Sequence, residues 1–210
     1  MILGIAIRLI VILKIKLVNL MTNINFRKSH RKIALILFIP LLLSAITGIA
    51  YRIGRTWFGI SDEFGESILA LHEGKFLGKP LVPFYVLLLG LGLVAMIVSG
   101  TIMIQQKRAN SQGKFLPTQL NFRSLHGFLA PIFLLPLFVS ASTGIIYRIS
   151  RAWFGLPKEQ VKIFMDIHQG SYLGPSLRVV YILLVGLGLL FILVTGIQMT
   201  GIFRKRAISS

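Results

Sequence analysis

The sequence predicts an all-α membrane protein with four transmembrane helices, arranged as two tandem repeats of a helix hairpin (a parallel duplication) with short amphipathic helices in the two outer hairpins. Three observations carry that expectation. First, four stretches are free of charge: 19 residues between Lys32 and Arg52, 27 between Lys79 and Lys107, 24 between Arg123 and Arg148, and 25 between Arg178 and Arg204. Each is long enough to cross a bilayer, since about 20 residues at 1.5 Å rise span the hydrocarbon. Second, LHEGKFLG at 71–78 returns as IHQGSYLG at 167–174. Third, the charges are segregated by sign along the chain.

The spans expected from the uncharged runs are residues 33–52, 81–105, 127–148 and 178–202. An offset of 96 residues, without a gap, superimposes the halves well beyond the histidine stretch: His30 falls on His126, Pro40 on Pro136, Thr47-Gly48 on Thr143-Gly144 and Tyr51-Arg52 on Tyr147-Arg148. Arg55 falls on Arg151, Trp57-Phe58-Gly59 on Trp153-Phe154-Gly155, and Gly90, Gly92 and Gly100 on Gly186, Gly188 and Gly196. All 4 histidines occupy matched positions. The chain therefore divides into an N-terminal apolar and basic segment (1–25), a first repeat (26–108), a linker (109–121) and a second repeat (122–206). Such self-similarity is the mark of a duplicated architecture.

A formal net charge of +17 suggests nucleic acid in a soluble protein. Here the sign distribution points to membrane orientation instead, and no nucleic-acid partner is expected. Seven Lys/Arg precede the first span, four lie between the second and third, and three follow the fourth, with no acid among them. All 6 acids (Asp62, Glu63, Glu66, Glu73, Glu159, Asp166) lie in the other two loops. A basic excess in short loops marks the cytoplasmic side, so both termini and the linker are expected in the cytoplasm of a bacterial inner membrane, with both histidine hairpins outside. The polybasic face is also suited to anionic lipid.

Taken in order, residues 1–20 are apolar but interrupted by Arg8, Lys14 and Lys16, and have no counterpart in the second repeat. They read either as an interfacial amphipathic helix or as an over-extended start with Met21 as the first residue. Pro40 and Pro136 interrupt the interiors of the first and third spans and are expected to kink them. Tyr51-Arg52, Trp57-Phe58 and their matches form an aromatic and basic belt at the outer headgroups. In the outer hairpins, Phe64, Ile68 and Leu71, and Val161, Phe164 and Ile167, recur at helical spacing. Pro80, Pro83 and Pro175 suit the first turns of the second and fourth spans. The glycines of those spans make small-residue surfaces, on which a helix or a flat ligand can approach the backbone closely.

A lone interfacial histidine is more often a headgroup contact or a cap than a ligand. Four in register read differently. Repeats with an even number of spans share one orientation, which puts His30 with His126 on the cytoplasmic side and His72 with His168 outside. Two imidazoles facing across a bundle meet the axial demand of a six-coordinate haem iron, and two couples would hold two haems b. Propionates need cations: Arg27 and Arg123 are placed for the inner haem, and Arg52, Arg148, Arg55 and Arg151 for the outer. Gly74 and Gly170 are expected to leave room for the ring. With no cysteine, covalent c-type attachment is excluded. Zinc or copper fits less well, because two histidines leave ligands missing.

Around these residues the chain resembles the PepSY-associated transmembrane family, whose members include inner-membrane ferric-siderophore reductases. The resemblance rests on His30-Arg31, Thr47-Gly48, Thr143-Gly144, Leu125-His126-Gly127, and Leu71-His72-x-Gly74 with Gly78. It covers about residues 26–206 and implies a haem-b-binding four-helix core that carries electrons outward to ferric chelates, with His30, His72, His126 and His168 as iron ligands. The soluble PepSY domains of the larger members are missing between the spans, so the chain is expected to be an electron conduit or a subunit. Without a Gly-rich dinucleotide fingerprint it must take electrons from quinol or a protein donor, and pass them to a periplasmic acceptor or partner subunit. The alternative is a non-catalytic membrane subunit or scaffold without cofactor.

Overall fold

The chain is described by a computed structural model over residues 25–110 and 121–202. The expected N-terminal segment and most of the linker lie outside the described residues. Every element among those described is helical. Four helices are long and apolar enough to cross a membrane.

Helix α1 spans Phe26–Trp57 and α4 spans Phe122–Ala152. Both begin about five to seven residues before the expected spans, and the reason is local. Asn25 and Asn121 are N-caps whose side chains accept from the backbone N–H of Lys28 and Ser124, at 3.1 and 3.0 Å. At Asn121 the Ser124 hydroxyl reciprocates in a capping box. His30 and His126 therefore sit inside helices, not ahead of them. Pro40 and Pro136 lie within α1 and α4.

Between the long helices lie two short ones, α2 (Asp62–Glu73) and α5 (Lys158–His168). Ser61 caps α2, Asp62 and Glu63 in its first turn oppose the helix dipole, and Gly74 ends it in the left-handed conformation at φ 75°. Helix α3 (Val82–Asn110) follows two 3₁₀ turns and α6 (Gly174–Met199) one, with Pro175 in the first turn of α6.

Helix α1 packs on α3 and α6, and α4 packs on the same two, while α2 lies on α1 and α5 on α4. The four long helices thus form a closed ring. Their centre is leucine-rich: Leu37, Leu41 and Leu89 make one buried cluster and Ala45, Leu137 and Leu189 another, with Leu93 and Leu193 packed against both. The outward face is apolar as well, with Ile36 72% and Leu88 68% exposed. Helices apolar on all sides need a hydrocarbon solvent, which makes this an integral membrane protein.

The small residues of α3 and α6 serve helix contact at four positions. A Cβ on Gly90 would meet Ile145 and one on Gly186 would meet Ile49; on Gly92 it would meet Leu37 and on Gly188 the ring of Phe133. At Gly188 the ideal Cβ falls 2.4 Å from both Cδ1 and Cε1 of that ring. Overpacking of this kind costs about 1–3 kcal/mol. Gly188→Ala is therefore expected to lower the thermal unfolding temperature in detergent, and Phe133→Leu, which removes the ring, to restore most of the loss. A Gly188→Ala protein as stable as the parent would contradict this packing.

Candidate functional site

The two ends of the bundle are built differently. The end carrying His30 and His126 is here called proximal, and the end covered by α2 and α5 distal. At the distal end a cavity of about 410 Å³ opens between the long helices, within the range of small-molecule and cofactor sites. Leu41, Leu93, Leu137 and Leu189 line it together with Gly48, Gly144, Tyr85 and Tyr181. His72, His168, Arg52, Arg148, Glu73 and Gln169 supply the polar groups.

His72 comes from the end of α2 and His168 from the end of α5, and their ring centroids are 6.5 Å apart with planes at 63°. Each imidazole is tied back to the long helix beneath it. His72 Nδ1–H donates to the Ser44 carbonyl at 2.8 Å, and His168 Nδ1–H to the Ser140 carbonyl at 2.8 Å. Because a carbonyl only accepts, Nδ1 carries the proton and Nε2 keeps its lone pair. Burial lowers the pKa of both rings, and His168 is brought to about 4, with repulsion from His72 adding to the effect and the Ser140 bond opposing it. Both imidazoles are therefore neutral near pH 7, the form that ligates a metal.

The repeated Thr-Gly pairs now have a physical reason. Glycine stands one turn after the accepting carbonyl, where a Cβ on Gly48 or Gly144 would lie 3.2 Å from Cε1 of His72 or His168. The threonine hydroxyls donate to the carbonyls of Leu43 and Val139 at 2.7 Å, and Thr47 Oγ1 also lies 3.5 Å from His72 Nδ1.

The same construction recurs at the proximal end. His30 Nδ1 meets Ser99 Oγ at 2.8 Å and His126 Nδ1 meets Thr195 Oγ1 at 3.0 Å. These hydroxyls donate to the carbonyls of Ala95 and Phe191, so each accepts from the imidazole N–H. Gly100 and Gly196 lie against the rings, and His30 is within electrostatic reach of His126. Every histidine thus docks on a Ser/Thr-Gly step of a neighbouring helix. Ser99-Gly100 and Thr195-Gly196 share the 96-residue offset. That shared hydroxyl-glycine step was the signal by which sequence reasoning, which read these residues only as small, could have found them.

The expected cations fare unequally. Arg148 Nη2 pairs with Glu73 Oε2 at 2.7 Å, which also accepts Lys75 at 3.1 Å. Arg52 Nη2 donates to Gln169 Oε1 at 3.1 Å, and Arg178, which sequence reasoning passed over, donates to the same oxygen. Arg27 and Arg123 are exposed one turn before His30 and His126, with no ion pair among the described residues. Two expectations are corrected. Arg55 and Arg151 close the turns after α1 and α4 by donating to the carbonyls of Ile60 and Leu156, and do not line the cavity. Gly74 and Gly170 leave no room for a macrocycle, because a Cβ there would strike the rings of Tyr85 and Tyr181 at 2.4 and 2.5 Å; they are glycine for their left-handed φ of 75° and 65°.

Among the described residues no three of His, Cys, Asp and Glu converge on a point that would hold a bare ion. Two facing imidazoles suit iron whose other four ligands arrive with it. Two metal–nitrogen bonds of about 2 Å, with about 1 Å from each nitrogen to its ring centre, need centroids about 6 Å apart. The distal couple meets that spacing. Compared with protein-family models, curated proteins and solved structures, the chain matches none.

For the cofactor-free protein the histidine burial fixes a pH dependence. With a folded value of about 4 for His168 against 6.5 when free, the unfolded chain binds a proton first as pH falls. Stability is full above the free value and declines from about pH 6.5 towards 4. Thermal unfolding of the cofactor-free protein should follow that trend, and His168→Gln should lessen it, with His72 keeping part of the slope. A wild-type profile flat across this window would contradict a neutral, buried His168.

Proposed function

We propose that this chain is a di-haem b electron-transfer protein of the bacterial inner membrane, related to the PepSY-associated transmembrane family, with both termini in the cytoplasm and the distal end outside. The carrying observation is the distal couple: two neutral imidazoles 6.5 Å apart, each with Nδ1 committed to a helix carbonyl, at a cavity of about 410 Å³. His72 and His168 would hold one haem iron, and His30 with His126 the other. Iron protoporphyrin with both axial positions filled supplies one-electron transfer and leaves no open position for oxygen.

The chain's own part is orientation, insulation and spacing. The two hairpins stand as tandem repeats about an axis along the membrane normal, which carries each histidine onto its partner. Nδ1–H donation fixes each ring and raises the basicity of Nε2. The layer of Leu41, Leu93, Leu137 and Leu189 keeps water and protons from passing between the ends. His30 lies 14 residues before Ser44 on α1, which separates the two couples by about 21 Å along the membrane normal at 1.5 Å per residue. Electrons would enter at the proximal couple from quinol or a protein donor, and leave at the distal one for a ferric chelate or a partner subunit.

Separable loss tests this reading. His72→Ala or His168→Ala should remove about half of the bound haem and abolish reduction of an external ferric chelate, while the remaining haem stays reducible from the proximal side. His30→Ala or His126→Ala should remove the other half and block entry. The competing reading, a membrane scaffold without cofactor, predicts no haem in any variant or in the parent. A parent protein that binds no haem would overturn the proposal.

A further inference from the structure

The distal cavity is lined by matched residues except at its charged rim, and there the two sides differ. On one side Arg148 is neutralised: Glu73 Oε2 bridges it and Lys75 at 2.7 and 3.1 Å. The matched position on the other side is Gln169, whose single carbonyl oxygen receives both Arg52 and Arg178. An amide oxygen brings no charge, so two guanidinium groups converge there without a carboxylate in contact. The nearest acid in electrostatic reach of Arg178, Asp166, is held by Lys162. Moreover, Nε of Arg52 and Nε of Arg178 are both buried with no hydrogen-bond partner. Buried donors on a cation are costly to leave unpaired, and two of them on adjacent guanidinium groups suit an anionic acceptor.

We propose that the distal cavity takes a carboxylate of its ligand on one side only, at a site made by Arg52, Arg178 and Gln169. Guanidinium groups present forked N–H donors that match a carboxylate in two-point contact. Arg52 and Gln169 line the cavity itself, so the carboxylate belongs to whatever sits between His72 and His168. With the haem reading, on which this inference rests, that group is a propionate. Arg178 corresponds to Val82 in the first repeat; on the other side the second cation, Lys75, shares the Glu73 carboxylate with Arg148, so only the Gln169 side joins two cations without a carboxylate in contact. One strong anion site next to one neutralised side would orient an otherwise nearly symmetric ligand.

The test compares iron protoporphyrin with its dimethyl ester, in which both carboxylates are masked. Each is titrated into cofactor-free full-length protein carrying His30→Ala, which confines binding to the distal couple. The parent should bind the acid at least about tenfold more tightly than the ester, as charge-assisted hydrogen bonds lost together imply. Arg178→Gln should bring that ratio close to one. Gln169→Glu, which supplies an internal carboxylate as Glu73 does for Arg148, should do the same while keeping the side-chain size. Glu73→Gln should not lower it. The ratio is insensitive to general destabilisation, which weakens both ligands alike. Binding of neither ligand defeats the haem reading itself. Both ligands bound with an unchanged ratio in Arg178→Gln and Gln169→Glu, or a drop in Glu73→Gln equal to theirs, overturns the one-sided carboxylate site alone.

Discussion

The contact on which the rest of this structure depends is an imidazole N–H donated to a neighbouring helix at a Ser/Thr-Gly step. It occurs four times: α2 is clipped to α1 through His72, α5 to α4 through His168, α1 to α3 through His30 and α4 to α6 through His126. Each clip satisfies a polar group that hydrocarbon would leave unpaired at a cost of several kcal/mol. At the distal clips a glycine one turn beyond the accepting carbonyl leaves room for the ring, since a Cβ there would lie 3.2 Å from it, and at His126 a Cβ on Gly196 would lie 3.3 Å away. The same bond that joins two helices fixes which nitrogen keeps its lone pair. Structure and chemistry are therefore set by one interaction.

Between the two tiers of histidine the bundle is lined by apolar side chains. Leu37, Leu41, Leu89, Leu137 and Leu189 are buried, and the hydroxyls of Thr47, Ser99, Thr143 and Thr195 are bonded to carbonyls of their own helices. No buried carboxylate lies in this region among the described residues. The polar chemistry is concentrated at the distal rim, where the halves, alike in their histidines and glycines, diverge at Glu73 and Gln169. The two halves thus match at their histidines and glycines and differ in their rim charges.

Much of this was legible in the sequence, for physical reasons that also mark where it stopped. Spans announce themselves because charge is excluded from hydrocarbon, and four uncharged runs gave the four long helices. Their starts were misjudged because Asn25 and Asn121 cap extra turns outside the apolar run, and a polar helical turn has no hydropathy signal. The histidine couples were visible through the 96-residue offset. Gly74 and Gly170 were misread because a glycine beside a ligand and a glycine ending a helix look alike until φ is known. Arg55 and Arg151 were misplaced because turn carbonyls, joined at Arg55 by Asp62, take up their guanidinium groups, and the sequence does not show those turns. Arg178 was invisible to reasoning by repeat, since its counterpart is Val82.

The most direct measurement is a pair of spectra on purified full-length protein. Haems held by two neutral imidazoles should show a Soret band, a sharp α-band on reduction by dithionite, and a low-spin ferric signal in electron paramagnetic resonance, at two haems per chain. Protein that carries no haem after reconstitution, or a high-spin ferric signal from iron with an open axial position, would contradict bis-histidine ligation at His72 with His168 and at His30 with His126.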